Sequence, residues 1–216
     1  MIEDVVRPRG PYRLQLMTYG RELEQPLPGG ARGQAWQRRD GLVVLRAICG
    51  QLIEARRALA IERAIVRAVR DAAPTRQQLG ALSPAELRRL GLATHRASTL
   101  VRVCRSIDLE GLRNQPIEAV EARLLRERGL GPWSLGVIAL EGLGSFRHGL
   151  VGDLGLVKLC SALWGRWVEI YETAELLRPY EEWAGLAGVY LMRGWAAGLV
   201  PGASADRARL ARWRAA

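Results

Sequence analysis

From Leu42 onward the apolar residues of this chain recur with the period of an α-helix. Leu45, Ile48, Cys49 and Leu52 fall at i, i+3, i+4 and i+7, a stripe that belongs on a core. Ile61, Ile65, Val66 and Val69 repeat the pattern in a second helix, and the stretch from Asp71 to Pro74 breaks it. Ser83-Pro84-Ala85-Glu86 is a capping box with proline at the first helical position, and the helix it opens ends at Gly91. Ala97, Leu100, Val101 and Cys104 mark the next helix. After a loop around Asn114 to Pro116, helical spacing returns from Leu124 to Leu140, interrupted by Gly129-Leu130-Gly131. Beyond a loop carrying Phe146 and His148, Asp153 stands at the N-cap position of an apolar helix that runs through Leu154, Val157 and Leu159. A loop with Trp164, Trp167 and Tyr171 follows. Tyr180 to Met192 then reads as one buried helix, and Arg207 to Arg214 as a basic tail helix with Leu210 and Trp213 on its inner side.

The first 41 residues differ. Pro8, Pro11, Pro26 and Pro28, with several glycines, break any long helix, and Tyr12, Leu14 and Leu16 alternate with polar residues. A short β hairpin or extended arm is expected there, with Ala35-Trp36-Gln37 as partner strand. The rest is helix and short loop, so the fold class is mainly α.

Composition narrows the partner. The 216 residues carry a formal net charge of +10, and Lys158 is the single lysine, so arginine supplies almost all the positive charge. That balance favours a polyanion, nucleic acid first and an anionic membrane second. Cys49, Cys104 and Cys160 lie far apart within apolar helical patterns and read as buried free thiols. No C-x-x-C pair or Cys/His cluster points to zinc or an iron–sulfur cluster. Neither a signal peptide nor a membrane-length apolar run is present, which makes the cytoplasm, with its nucleoid, the expected location.

Two places carry chemistry. At Gly129-Leu130-Gly131 the glycines are expected to take φ > 0 and turn the chain sharply, with Leu130 plugging back between the helices. Pro132 suits the first turn of the following helix, whose N–H groups and positive dipole end would seat a phosphate. The same residues would equally build an ordinary αα-hairpin. Asp153 is a carboxylate at a helix start, which by itself reads as a plain cap that also orients the carboxylate.

Three separated pieces together resemble a known family. They are Ala47-Ile48-Cys49-Gly50-Gln51-Leu52-Ile53, Gly129-Leu130-Gly131-Pro132-Trp133-Ser134, and Gly152-Asp153-Leu154-Gly155-Leu156; Leu90-Gly91-Leu92 before Arg96-Ala97 also fits. Over residues 42–195 the chain resembles the helix-hairpin-helix (HhH-GPD) DNA glycosylase superfamily, and within it the alkylpurine branch related to 3-methyladenine DNA glycosylase II. The resemblance implies two helical lobes flanking a DNA-binding cleft. Residues 1–41 would form an arm on the second lobe, 42–145 a lobe ending in the hairpin, and 146–216 a second lobe carrying the catalytic aspartate.

The resemblance also implies roles. Gly129, Leu130, Gly131, Trp133 and Ser134 would hold the DNA backbone through main-chain groups, with room for a monovalent cation and no other cofactor. Asp153 would stabilise an oxocarbenium-like sugar or activate the attacking water. Gln51 and Leu52 would wedge into the duplex where a base has left, although Leu52 also fits the core stripe. Trp133, Tyr180 and Trp183 would wall the base pocket, with core packing the plain alternative for Tyr180 and Trp183. Trp133 stands where lyase-active members have a nucleophilic lysine, which implies a monofunctional enzyme. Val137 and Leu154 stand where close relatives have tyrosine, which implies a less aromatic pocket. The implied partner is double-stranded DNA with damaged bases, bound by a monomer. A glycosylase for another lesion class, a non-catalytic lesion-binding protein on the same scaffold and a plain basic helical scaffold are the alternatives.

Overall fold

The computed structural model describes residues 40–112 and 115–203. The expected N-terminal strands and the Arg207–Arg214 helix lie outside these residues. Among the described residues all regular structure is helical, and it falls into two compact units, one ending at Leu143 and one beginning at Gly144.

The first unit contains α1 (Asp40–Cys49), α2 (Ala55–Val69), α3 (Arg76–Ala81), α4 (Pro84–Arg89), α5 (Thr94–Ser106), the single turn α6 (Leu109–Leu112), α7 (Ile117–Leu125) and α8 (Pro132–Ile138), which runs on into a π-helical turn, Ala139–Leu143. The central pieces are α1 and α5. Val44, Leu45, Ile48 and Cys49 of α1 and Ala97, Leu100, Val103 and Cys104 of α5 are all but completely buried. Burial of the valine, leucine and isoleucine side chains among them contributes roughly 1.5–3 kcal/mol each. Short helices need strong ends, and α3 and α4 have them: Thr75 with Gln78, and Ser83 with Glu86, form reciprocal capping boxes. Gly91 follows α4 at φ +100°, and the N–H of Leu92 returns to the carbonyl of Leu87. Arg46 of α1 joins three elements by pairing with Glu62 of α2 at 3.2 Å and with Glu141 of the π turn at 2.5 Å.

In the second unit α9 (Leu154–Trp164) is followed by a 3₁₀ turn (Ile170–Glu172), α10 (Thr173–Leu177), a second 3₁₀ turn (Arg178–Trp183) and α11 (Ala184–Ala196). Its core is built from Leu156, Leu159, Cys160, Leu176, Leu177 and Ala187.

The structure corrects two expectations about helices. The stripe through Leu45, Ile48 and Cys49 does not reach Leu52, because α1 stops at Cys49; Leu52 has φ +49° and is 66% exposed. The expected continuous helix from Tyr180 to Met192 is broken at Glu181, where φ is +47° and ψ −119°. The break has a packing reason: the Gly185 N–H donates to the Phe146 carbonyl at 2.7 Å, and a Cβ on Gly185 would lie 2.6 Å from the His148 carbonyl oxygen.

The three cysteines are buried free thiols, and desolvation pushes each up to about 12. At pH 8 the native protein should therefore resist thiol alkylation, whereas the unfolded protein should modify at all three positions within minutes. Mass spectrometry of iodoacetamide-treated protein with and without urea checks this, and rapid labelling of the native form would contradict it.

Candidate nucleic-acid and catalytic site

The hairpin joins α7 to α8. The chain leaves α7 at Arg126, and the Leu130 N–H returns to the Glu127 carbonyl at 3.0 Å. Gly129 carries the turn at φ +90°, where an L side chain is strained; an added Cβ would also sit 2.6 Å from Thr99 Oγ1 of α5. Gly131 does not take the positive φ expected of it. It is the extended N-cap of α8 (φ −109°, ψ −176°), and Pro132 follows at the first helical position. The steep part of the turn is finished by Gly129, so Gly131 need only present its carbonyl, which accepts from Leu135 N at 2.9 Å. Leu130 plugs inward as expected and is 6% exposed. The N–H groups of the first turn of α8 precede that first intrahelical bond, so no helical carbonyl satisfies them.

The hairpin is gripped from two sides. Gln51, in the loop after α1, donates its amide to the Gly129 carbonyl at 2.7 Å and to Ser134 Oγ at 2.9 Å. On the other side Arg102 of α5 donates to the Arg128 carbonyl, and its Nε lies 3.5 Å from the Glu127 carboxylate. Arg123 reaches the same carboxylate at 2.6 Å. Hydrogen bonding from Arg123, ahead of its charge and of Arg102, holds the Glu127 carboxyl below the usual range. Trp133 is half-buried, and the edge of its ring rests on Gly50, where a Cβ would lie 2.6 Å from the ring. Gln51, Gly129, Leu130, Gly131, Trp133 and Ser134 are thus brought together in one unit. Leu52 stands exposed at the tip of the loop whose first residue is Gln51. Val137 is buried in α8.

Asp153 lies in the second unit. The turn before it closes through Asp153 N to the Leu150 carbonyl at 3.0 Å. Gly152 takes φ +88° there, and a Cβ would meet Ile170 at 2.6 Å. Buried Thr173 locks this glycine: its Oγ1 accepts from Gly152 N at 2.8 Å and donates to the Ile170 carbonyl at 2.7 Å. Asp153 is the N-cap of α9, with Oδ1 accepting from Gly155 N at 2.7 Å. The carboxylate is therefore oriented by its own helix and is not sealed in the core. Met192 of α11 packs so closely on Gly155 that a Cβ there would lie 2.8 Å from its sulfur.

Of the expected pocket aromatics in this unit, Tyr180 is half-buried, and burial raises its phenol. Trp183 stacks on Phe146 at 5.8 Å between centroids, and its indole N–H donates to Glu182. Leu154 is 39% exposed. Sequence reasoning missed Thr173, whose hydroxyl reaches Gly152 across 21 positions; no local pattern announces such a bond. It also missed the clasp made by Gln51.

The architecture agrees closely with solved structures. The fold is that of the helix-hairpin-helix DNA glycosylases. A 3-methyladenine DNA glycosylase from Archaeoglobus fulgidus superposes with a TM-score of 0.61 at 21% identity, covering 72% of this chain and 58% of the other. The 3-methyladenine DNA glycosylase of Schizosaccharomyces pombe, solved with abasic DNA, gives 0.65 at 12% identity over 90% of this chain and 96% of the other. An 8-oxoguanine glycosylase/lyase from Clostridium acetobutylicum, solved with double-stranded DNA containing cytosine opposite 8-oxoguanine, gives 0.61 at 16% identity, with 74% and 61% covered. The chain thus spans less than two thirds of the Archaeoglobus fulgidus glycosylase. No protein-family model matches the sequence, and no curated protein matches it significantly. No helix among the described residues is long and apolar enough to cross a membrane.

Two predictions follow from the grip on this glycosylase-fold hairpin. Gln51→Ala removes the donor to both Gly129 and Ser134 and should cost about 1 kcal/mol in urea unfolding. It should also speed hydrogen exchange at the Leu130 N–H, and unchanged exchange would show the clasp to be idle. Glu127 has a depressed folded pKa, so its stabilisation is present above the ordinary glutamate value of about 4.3 and is lost as pH falls through the folded value. The melting-temperature difference between wild type and Glu127→Gln should be largest near neutral pH and shrink in acid.

Proposed function

We propose that the protein is a monofunctional DNA glycosylase of the 3-methyladenine type, acting as a monomer on double-stranded DNA in base excision repair. The observation that carries this reading is Asp153, an oriented carboxylate at the head of α9, in a chain with the DNA glycosylase fold. The Gly129–Gly131 hairpin supplies the matching backbone contact: first-turn N–H groups at a positive helix end, fixed by Gln51, Thr99 and Arg102, receive a phosphate. The Glu127 and Gly129 carbonyls, bonded to Leu130 N and to Gln51, keep a second lone pair each and would be the groups to hold a monovalent cation beside that phosphate.

The chemistry follows from charge. As the N-glycosidic bond breaks, the base departs with the bonding electron pair and the sugar develops positive charge. The Asp153 carboxylate stabilises that charge or orients and deprotonates the water that adds to the sugar carbon. The products are a free base and an abasic site. Trp133 has no amine, so its position forms no Schiff base. Leu52, exposed on a loop braced by Gln51, fills the gap left by the everted nucleotide, which offsets part of the few kcal/mol that unstacking costs. Trp133, Tyr180 and Trp183 supply aromatic surface suited to a cationic alkylpurine.

A different lesion class is the second reading. The 8-oxoguanine glycosylase/lyase matches with the same TM-score as the Archaeoglobus fulgidus enzyme. The resemblance likewise implies a less aromatic pocket, since Val137 and Leu154 stand where close alkylpurine relatives have tyrosine.

Purified protein incubated with methylated DNA should release 3-methyladenine, identified by chromatography. Asp153→Asn should bind the same DNA and release base about 10²–10³-fold more slowly. Equal release by both proteins removes Asp153 from the mechanism. Release of 8-oxoguanine from DNA carrying that base, with no release from methylated DNA, selects the second reading.

A further inference from the structure

Helix α2 carries a row of arginines that no part of the described structure uses. Arg56, Arg63 and Arg67 stand at i, i+7 and i+11, which places them within an arc of about 40° on one face. Arg70, the left-handed C-cap, extends the row, so it runs for about 21 Å at 1.5 Å per residue. All four are exposed, and none of their side chains makes an ion pair or hydrogen bond among the described residues. The opposite face holds Ile61 and Ile65 in the core. The helix has a single acid, Glu62, which is buried and turned inward to Arg46. The outer face between the flanking acids Glu54 and Asp71 therefore carries four arginines and no acid, and Ala60 leaves it open between Arg56 and Arg63. The row starts four residues beyond Leu52, on the helix that leaves the same loop.

We propose that this face of α2 is a phosphate-backbone track for duplex DNA, an interaction surface additional to the hairpin. The inference rests on the glycosylase reading only for the identity of the polyanion. Arginine is the residue suited to the task, because its planar fork meets phosphate oxygens two at a time. Duplex DNA presents one charge per about 1.7 Å of axis, so a row of this length faces a dozen or so charges. A membrane surface fits less well: an interfacial helix must offer an apolar face to lipid, and that face of α2 is committed to the core.

The test compares wild type with R56Q/R63Q/R67Q and, as a control with the same charge change on other elements, R88Q/R89Q/R193Q. Binding of a labelled undamaged duplex is measured across a range of salt. Loss of three phosphate contacts should make the slope of log affinity against log salt shallower by about 3, and should weaken binding about tenfold or more at low salt. The control should keep the wild-type slope within about 1. R56K/R63K/R67K should restore most of the slope, since charge and not packing is lost in the glutamine variant. Matching slopes for wild type and the glutamine variant overturn the track, as does equal loss in variant and control. If wild type still releases base from methylated DNA in that case, the glycosylase reading stands alone; if it neither binds duplex nor releases base, both fall. Variant-sensitive binding to phosphatidylserine vesicles with an unchanged DNA slope also overturns the track.

Discussion

The Gln51 amide is the contact on which the hairpin depends. A two-glycine turn has few bonds of its own, and here its first glycine sits in a backbone region that no other residue adopts without strain. One side-chain nitrogen supplies donors to the Gly129 carbonyl within the turn and to the Ser134 hydroxyl after it. The turn is thereby tied to the loop that displays Leu52. Thr99 fills the space beneath Gly129, and Arg102 holds the next carbonyl toward α7. A turn that is to receive a phosphate, as proposed for this one, must not rearrange when it meets its ligand, and side chains of α5 and the α1–α2 loop fix this turn from outside.

The second unit solves an equivalent problem in the opposite sense. Gly152 also takes a positive φ, and again a polar side chain remote in sequence fixes it, but Thr173 accepts from an N–H where Gln51 donates to a carbonyl. The consequence passes to the next residue. With Gly152 held, Asp153 enters α9 in extended geometry, and its carboxylate settles on Gly155 N. Capping and catalysis are compatible uses of one side chain, since the hydrogen bond that caps the helix also limits the directions the carboxylate can point.

Arginine in this protein does two separate jobs. Arg46, Arg102 and Arg123 are spent on carboxylates and carbonyls that join helices, and the pairing raises the Arg46 guanidinium above its ordinary value, hydrogen bonding to Glu62 being the largest cause. The α2 row has no such partners. Among the described residues, therefore, some arginines are neutralised locally by the helices they join, and those of the α2 row are not.

Local patterns were sufficient for the elements with strong local chemistry. The Ser83–Glu86 capping box, the stop at Gly91, the proline start of α8, the inward Leu130, the Asp153 cap and the three buried thiols are all fixed by residues within a turn of one another. That is the range over which spacing and capping act. Where distant groups decide, the pattern misleads or is silent. Leu52 continues the α1 stripe in spacing, yet the helix ends three residues earlier and leaves it in solvent. Glu181 breaks the expected helix, and just beyond the break Gly185 bonds to the distant Phe146 carbonyl. Gly131 stays extended because Gly129 has already made the turn. The bonds from Gln51 to Gly129 and from Thr173 to Gly152 cross 78 and 21 positions. Partners so far apart meet only once the core has formed, so the sequence determined which residues could turn, cap and carry charge, and tertiary packing decided which of them are held still.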